Sequence, residues 1–312
     1  MGRIAFVFSG QGDQHPGMGA ALFERYPAAR AVFERLDALR PETSQQCFSG
    51  TDEQLRQTAN TQPCLYAMEA AAAAALSACG LRADMAAGFS LGELTAIAYA
   101  QAVSVEDGFL LVCRRGALMQ RDAERNPAAM AAVLKLSEAQ VEEICARHDQ
   151  VFPVNYNSPG QIVVSGAAEA MPAFYADVKQ AGGRTMPLKV GGGFHSPFMT
   201  EAAEAFAREL AQVGRRAPMV EVYSDVTAEP YPAEIAPTLS KQICAPVRWE
   251  RLVRNMIRDG ATAFVEIGPG KTLSGLFGRI DGNVKALSVA DFEDLEALCA
   301  EVRGCCTERS PS

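Results

Sequence analysis

Histidine is scarce in this sequence, basic residues are outnumbered and long apolar runs are missing, and each shortage removes a class of protein. Lys and Arg number 29 against 37 Asp and Glu, a net charge of −8. Phosphate-rich partners require a concentrated excess of Lys and Arg, so nucleic acid is not expected as a partner and an anionic membrane surface is disfavoured. No run of about 18 apolar residues occurs, and the N-terminal stretch lacks the basic start, apolar core and small-residue cleavage site of a signal peptide. A cytoplasmic protein is expected. The nine cysteines are odd in number and show neither CxxC pairs nor zinc-finger spacing; the one close pair, Cys305 and Cys306, lies in a polar tail. They read as reduced thiols, with no metal site.

Glycine-rich stretches are present, but each lacks a residue that nucleotide binding needs. A phosphate-binding loop ending in "GKT" at Gly270 to Thr272 requires a glycine at position 265, which is Val265. "GQGDQH" has His15 and "GPGKTL" has Leu273 where a dinucleotide fingerprint places its third glycine. Neither ATP nor NAD is supported, and no cofactor is expected.

The 312 residues, 48% hydrophobic and 21% charged, suffice for a large core. "RIAFVF" reads as a buried parallel strand running into a loop. Helices are expected over 17–39 and 61–79, then a strand at Met85 to Ala87, a turn at Gly88 to Gly92 and a helix over 91–101. A mostly buried helix spans 104–125, opened by Ser104 and Asp107. From 128 to 190 the units shorten into the order β-α-β-β-α-β, the split βαβ of a ferredoxin-like module. Beyond it come a helix over 201–213, a strand in "MVEVYSDV", a helix over 249–259, and the strand, turn and helix of "TAFVEIGPGKTLSGL". Alternation of this kind implies an α/β fold with a parallel-sheet core. The expected division is a discontinuous core over 1–126 and 191–300, an insertion over 127–190, and a disordered tail over 301–312.

Gly88-Phe89-Ser90-Leu91-Gly92 fits the G-x-S-x-G elbow, in which a sharp strand-to-helix turn exposes a serine hydroxyl. The N–H of Leu91, in the first helical turn, would then be free to receive an oxyanion. A small-residue turn with no chemistry is the alternative. A serine nucleophile needs a base, and only His15, His148 and His195 are available. His148 reads as a solvated surface residue; His195, in "GGGFHSPFM", occupies an irregular loop of the kind that carries catalytic groups. On a helical wheel Arg115 lies roughly 80° from the centre of the apolar stripe and Arg114 roughly 180°. An arginine at the edge of a buried helix needs an anionic partner, either a substrate or an internal carboxylate.

The ordered motifs "VFSGQGDQ", "GFSLGE", "RRGALMQ", "NYNSPGQIVVSG", "GGFHSPFM", "CAPVRWERLV" and "VEIGPGKTLSGL" together resemble the malonyl-CoA:acyl carrier protein transacylases of fatty acid and polyketide synthesis. The resemblance runs from residue 4 to about 290. It implies an α/β-hydrolase-like core with the ferredoxin-like insertion, a monomer, and ping-pong transfer of malonyl from malonyl-CoA to the phosphopantetheine thiol of an acyl carrier protein. Ser90 would be the nucleophile and His195 its base, with Gln11 supplying the second oxyanion N–H beside Leu91. Gln242 would orient His195 through its backbone carbonyl. Arg115 would bind the free malonyl carboxylate bidentately, and Phe194, Gln62 and Asn157 would lie near it. Phe89 departs from the family, which usually has His at that place in the elbow.

A carrier of this kind is acidic, so Arg251, Arg254 and Arg258, at i, i+3 and i+7 spacing, are a candidate docking patch; a solvated helix face is the alternative. The rival activities are a serine thioesterase or hydrolase acting on acyl carriers, a trans-acting polyketide acyltransferase using another extender unit, and a silent docking subunit. Fatty acid synthesis, polyketide synthesis and malonate decarboxylation all remain open as settings.

Overall fold

In a computed structural model that describes residues 2–307, two sheets share the chain. The first strand, β1 (Arg3–Phe8), leads into α1 (Ala20–Arg25), α2 (Pro27–Leu39), α3 (Thr43–Ser49), α4 (Asp52–Arg56) and α5 (Thr58–Ala78). The expected single helix over 17–39 is broken at Tyr26, because Pro27 opens a new helix at its first turn. The two short helices α3 and α4 were not foreseen; α4 is held by a capping box between Thr51 and Gln54. α5 begins three residues before the expected position 61 and is buried nearly all round, its alanines letting neighbouring helices approach closely.

Next come β2 (Met85–Gly88), α6 (Leu91–Tyr99) and α7 (Val105–Arg125), the last capped by Ser104 as the sequence indicates. β3 (Ala128–Leu134), α8 (Glu138–Ala146), β4 (Val151–Ser158), β5 (Gln161–Ala167), α9 (Met171–Gln180) and β6 (Arg184–Pro187) follow in the anticipated β-α-β-β-α-β order. β6 stops at Pro187, short of the expected 190. The chain ends with α10 (Thr200–Ala211), β7 (Glu221–Tyr223), the short α11 (Ala236–Leu239), α12 (Trp249–Arg258), β8 (Ala261–Ile267), α13 (Thr272–Ile280), β9 (Lys285–Ser288) and α14 (Leu295–Thr307).

The expected tail over 301–312 is therefore corrected as far as Thr307. Leu295, Leu298, Cys299 and Val302 share one buried helical face, and that burial holds the segment as helix. The part beyond 307 lies outside the described residues.

The larger sheet has the order β7-β2-β1-β8-β9 and is parallel throughout. Side chains alternate across β1: Phe6 and Phe8 face the core built on α2, α5, α6 and α7, while Ala5 and Val7 face the one built on α12 and α13 around Trp249. From β1 the chain first adds strands on one side and later on the other. The connectivity thus reverses at β1, and the crevice beyond the carboxyl ends of β1, β2 and β8 is where such sheets place a ligand.

The smaller sheet, β4-β5-β3-β6, is antiparallel. One face carries its own core of Val133, Val164, Phe174 and Val178 under α8 and α9, while Met130, Ala132, Val154 and Val163 on the other join the main core. Backbone hydrogen bonds from Tyr156 N to the Val247 carbonyl (2.8 Å) and from Val247 N to the Val154 carbonyl (2.9 Å) fasten the two sheets' surroundings together.

This fastening predicts one cooperative unfolding transition. Phe174→Ala is expected to cost about 3–5 kcal/mol, shifting far-UV circular dichroism and the fluorescence of the sole tryptophan, Trp249, to the same lower urea midpoint. A Trp249 signal left at the wild-type midpoint would show that the small sheet unfolds alone.

Candidate active site

Ser90 joins β2 to α6 with φ 55° and ψ −103°, a conformation few side chains adopt. Packing enforces it. A Cβ at Gly88 would lie 1.9 Å from the Gly92 carbonyl carbon, and one at Gly92 would lie 2.2 Å from the Phe8 carbonyl oxygen, so the elbow closes only with glycine at both places. The serine's peptide groups are clamped as well: its N–H donates to Asp225 Oδ2 (2.8 Å) and its carbonyl accepts from Gln242 Nε2 (2.7 Å).

His195 reaches the serine from the loop before α10. Its Nε2 lies 2.7 Å from Ser90 Oγ, while Nδ1 lies 2.9 Å from the Gln242 carbonyl and 3.2 Å from that of Ala245. Carbonyls only accept, so this network assigns the ring proton to Nδ1 and leaves Nε2 as the acceptor for the serine hydroxyl. Burial, and then the charge of Arg115, push the imidazole down to about 4, against the opposing pull of the two carbonyls. The imidazole is therefore neutral and ready to take a proton.

Arg115 is fully buried. α7 can bring it there because Gly116 packs directly on the start of α5, where a Cβ would lie 2.9 Å from the Thr58 carbonyl oxygen. Its guanidinium donates to Gln62 Oε1 (2.9 Å), Gln242 Oε1 (2.7 Å) and Ser90 Oγ (3.1 Å), and Nε has no partner. All three acceptors are neutral. The internal salt bridge that the sequence left open is not formed among the described residues, and burial lowers the guanidinium to about 10 against the charges of Asp225 and Glu93. Arg114, by contrast, points to solvent.

The pattern did not disclose the acids beneath the elbow. Glu93, on α6, accepts from the Asp225 N–H (2.9 Å), from Tyr231 Oη (2.9 Å) and from Gln242 Nε2, which also lies 3.2 Å from Asp225 Oδ2. Both acids are fully buried. Burial raises Glu93 to about 7 and holds Asp225 well above the usual carboxylate range. The available signal was a glutamate inside the otherwise apolar run "LGELTAIAYA".

Leu91 is the first residue of α6, where a helix leaves N–H groups without an internal acceptor. Gln11 lies in the loop after β1 and lines a crevice with Phe89, Asn157 and Leu276. Asn157 occupies a bulge in β4, between the pairs Tyr156–Ile162 and Ser158–Gln161, and its buried Oδ1 has no partner. Phe194 is buried in the main core beside His195. Phe89 sets its ring edge against Trp249 at 5.5 Å, which gives this departure from the family pattern an apolar seat.

The structure also places three further features of the sequence. The "GPGKT" turn is occupied by its own protein: Glu266 accepts from the N–H groups of Leu273 and Ser274, and Lys271 pairs with Asp291. His148 is not solvated, since it lies against Phe174 and bonds Asp177 at 3.0 Å. The basic stripe on α12 is largely neutralised: Arg254 pairs with Glu250, and Arg258 pairs with Glu229 and Asp259. Only Arg251 of the three lacks an ion pair among the described residues.

Comparison with known proteins shows what the chain as a whole is similar to. The model of the acyl transferase domain matches residues 5–278. The malonyl CoA-acyl carrier protein transacylase of Bacillus subtilis is 36% identical over 304 residues, covering 95% of this chain and 96% of that one. A crystal structure of the corresponding protein from Clostridium perfringens superimposes with a TM-score of 0.93 at 35% identity, over 97% of this chain and 98% of that one. A malonyl-transacylase solved in complex with a type II PKS acyl-carrier protein gives a TM-score of 0.92 at 32% identity, over 96% and 100%.

The depressed His195 has a definite linkage sign. The imidazole protonates near pH 4 in the fold but near about 6.5 in the unfolded chain. Between those values the unfolded state binds more protons, so native stability falls as pH drops from about 6.5 to about 4. An NMR titration of His195 should show a midpoint near 4, and Arg115→Met, which removes a neighbouring cation, should raise it. An unshifted midpoint in the variant would refute the charge coupling.

Proposed function

The chain belongs to the acyl transferase domain family, and on that premise we propose that it moves a malonyl group from malonyl-CoA to the phosphopantetheine thiol of an acyl carrier protein through an acyl ester on Ser90. The observation that carries this reading is the buried Arg115 guanidinium, which has no carboxylate partner among the described residues and lies 3.1 Å from Ser90 Oγ. A buried cation surrounded by neutral oxygens is a site built to receive an anion. The free carboxylate of a malonyl group, two bonds from the reacting carbonyl, matches it in charge and in planar geometry.

Ser90 Oγ attacks the thioester carbon while His195 Nε2 takes the hydroxyl proton. The oxygen that becomes negative is received by the N–H groups of Leu91 and Gln11, each such donor being worth about 3 kcal/mol. Collapse breaks the carbon–sulfur bond, and the departing CoA sulfur collects the proton from His195. In the second half-reaction the carrier thiol gives its proton to His195 and attacks the ester, and Ser90 regains its hydrogen as the acyl thioester leaves. The base contributes roughly 10²–10⁴-fold. Every step is carried by side chains, backbone N–H groups and the thioester itself, so the reading calls for no cofactor.

Among the described residues no helix is long and apolar enough to cross a membrane. The described cysteines are free thiols, which supports placing the enzyme in the reducing cytoplasm.

Intact-protein mass after brief mixing with malonyl-CoA should show one malonyl adduct on the wild type and none on Ser90→Ala. Arg115→Ala should lower malonyl transfer by about 10²-fold or more, as expected for loss of a charge-assisted pair of about 3 kcal/mol, while acetyl-CoA loses far less. Free CoA without an adduct would point to a hydrolase instead. Because Arg254 and Arg258 are already paired, replacing Arg251, Arg254 and Arg258 together by alanine is expected to change the KM for the carrier by less than about threefold; a tenfold rise at low salt would support α12 as the docking face.

A further inference from the structure

Glu69 takes no part in these steps, yet it is a fully buried carboxyl in the middle of α5, among alanines and apolar side chains. A carboxyl in such surroundings is costly unless its oxygens are satisfied, and two hydroxyls satisfy them. Ser9 Oγ lies 2.7 Å from Oε1 and Thr95 Oγ1 lies 2.6 Å from Oε2. Neither hydroxyl belongs to α5. Ser9 is the first residue beyond β1 and stands two residues before Gln11. Thr95 lies one turn into α6, four residues after Leu91.

The Ser9 side has little freedom to drift. Its N–H donates to the Ile267 carbonyl at 3.1 Å, and its hydroxyl packs so closely on Gly268 that a Cβ there would lie 2.2 Å away. The Thr95 side is fixed by the packing of α6 on β1, where the Gly92 Cβ position lies 2.2 Å from the Phe8 carbonyl oxygen. Burial pushes Glu69 up to about 8, against the lowering effect of both hydroxyl bonds. Glutamine, of the same length and able to reach both hydroxyls, is its nearest mimic.

We propose that Glu69 is a positioning residue for acyl transfer, which by tying Ser9 to Thr95 sets the spacing between the Gln11 and Leu91 N–H groups that receive the thioester oxygen. The inference rests on the oxyanion roles given above to those two residues. Oxyanion donors act at about 2.7–3.1 Å, and a misplacement of about 1 Å costs about 10²-fold, so a cavity at position 69 is felt at the reacting carbonyl without touching it. The effect falls on the reacting oxygen, which every thioester has. It is therefore indifferent to whether the acyl group carries a carboxylate, in contrast to Arg115.

Rapid-mixing measurement of CoA release tests this with malonyl-CoA and acetyl-CoA. Burst amplitude counts folded, competent enzyme, and the burst rate constant reports acylation. Glu69→Ala is expected to slow acylation by about 10–100-fold for both donors, with amplitude and KM within about threefold of wild type. Glu69→Gln, which can bridge the same two hydroxyls, should recover to within about threefold, and Ser9→Ala added to Glu69→Ala should cost little more. An unchanged rate constant in Glu69→Ala, a loss confined to amplitude, a loss confined to malonyl-CoA, or failure of glutamine to rescue would each overturn the proposal. A wild-type enzyme with no burst would remove the acyl-serine reading and this inference with it, whereas a wild-type burst with an indifferent Glu69→Ala removes the inference alone.

Discussion

A positive charge is buried here with no negative charge among the described residues touching it, and the rest of the site is arranged around that fact. Arg115 donates only to the neutral oxygens of Gln62, Gln242 and Ser90. Removing a guanidinium from water without a counter-ion costs several kcal/mol. The protein offsets part of that cost at a distance, through Asp225 and Glu93, which lie on the far side of Gln242 and favour the charged guanidinium. Those acids are themselves raised by burial, so the compensation is partial. The remaining electrostatic deficit is what a substrate carboxylate can satisfy. On the proposed reading, selectivity for such a substrate follows from this incomplete internal balance, and a direct salt bridge to Arg115 would abolish it.

The same acids also serve the backbone. Asp225 holds the N–H of Ser90, and Gln242 holds its carbonyl. These bonds, with the contact of Gly92 on the end of β1, keep Ser90 at φ 55°, a strain of about 1–3 kcal/mol. An elbow held from both sides keeps its hydroxyl aimed at His195 whether or not a ligand is present. The bond from Arg115 to that hydroxyl uses the serine as an acceptor, and the bond to His195 uses it as a donor. A carboxylate arriving at Arg115 would compete for the first bond while leaving the second in place.

Much of this was legible in the sequence because local packing rules leave a local trace. The two glycines around Ser90, the capped helix carrying Arg115, the glycine-flanked loop carrying His195 and the β-α-β-β-α-β run of the small sheet all follow from steric and periodic constraints within a few residues. What was not legible depends on contacts across long separations. Glu93, Asp225, Tyr231 and the side chain of Gln242 come from distant segments, and no spacing in the chain joins them. On α12 helical periodicity groups the arginines, whereas their ion pairs run both to the neighbouring Glu250 and Asp259 and to Glu229 from another segment. α14 was missed because a polar C-terminal composition hides its four apolar contacts.

The absence of a carboxylate beside His195 follows from the charge on Arg115. Both side chains contact the same atom, Ser90 Oγ, at 2.7 and 3.1 Å. A carboxylate placed to hold the imidazole would therefore lie close enough to attract the guanidinium strongly in a medium of low dielectric. It would raise the basicity of His195 and at the same time relieve the electrostatic deficit to which the proposed reading assigns recognition of the substrate. Gln242 avoids this conflict with neutral groups: its backbone carbonyl orients Nδ1 of His195 while its side-chain oxygen supports Arg115. An orienting carbonyl stabilises the imidazolium less than a carboxylate would, and it does not overcome burial and the charge of Arg115, which push the imidazole down to about 4. On the reading proposed above, a malonyl carboxylate paired with Arg115 would neutralise the second cause of that depression, after burial, and so strengthen the base. On that reading recognition and proton transfer are coupled through one residue, Arg115, because no carboxylate among the described residues contacts either its guanidinium or the His195 ring.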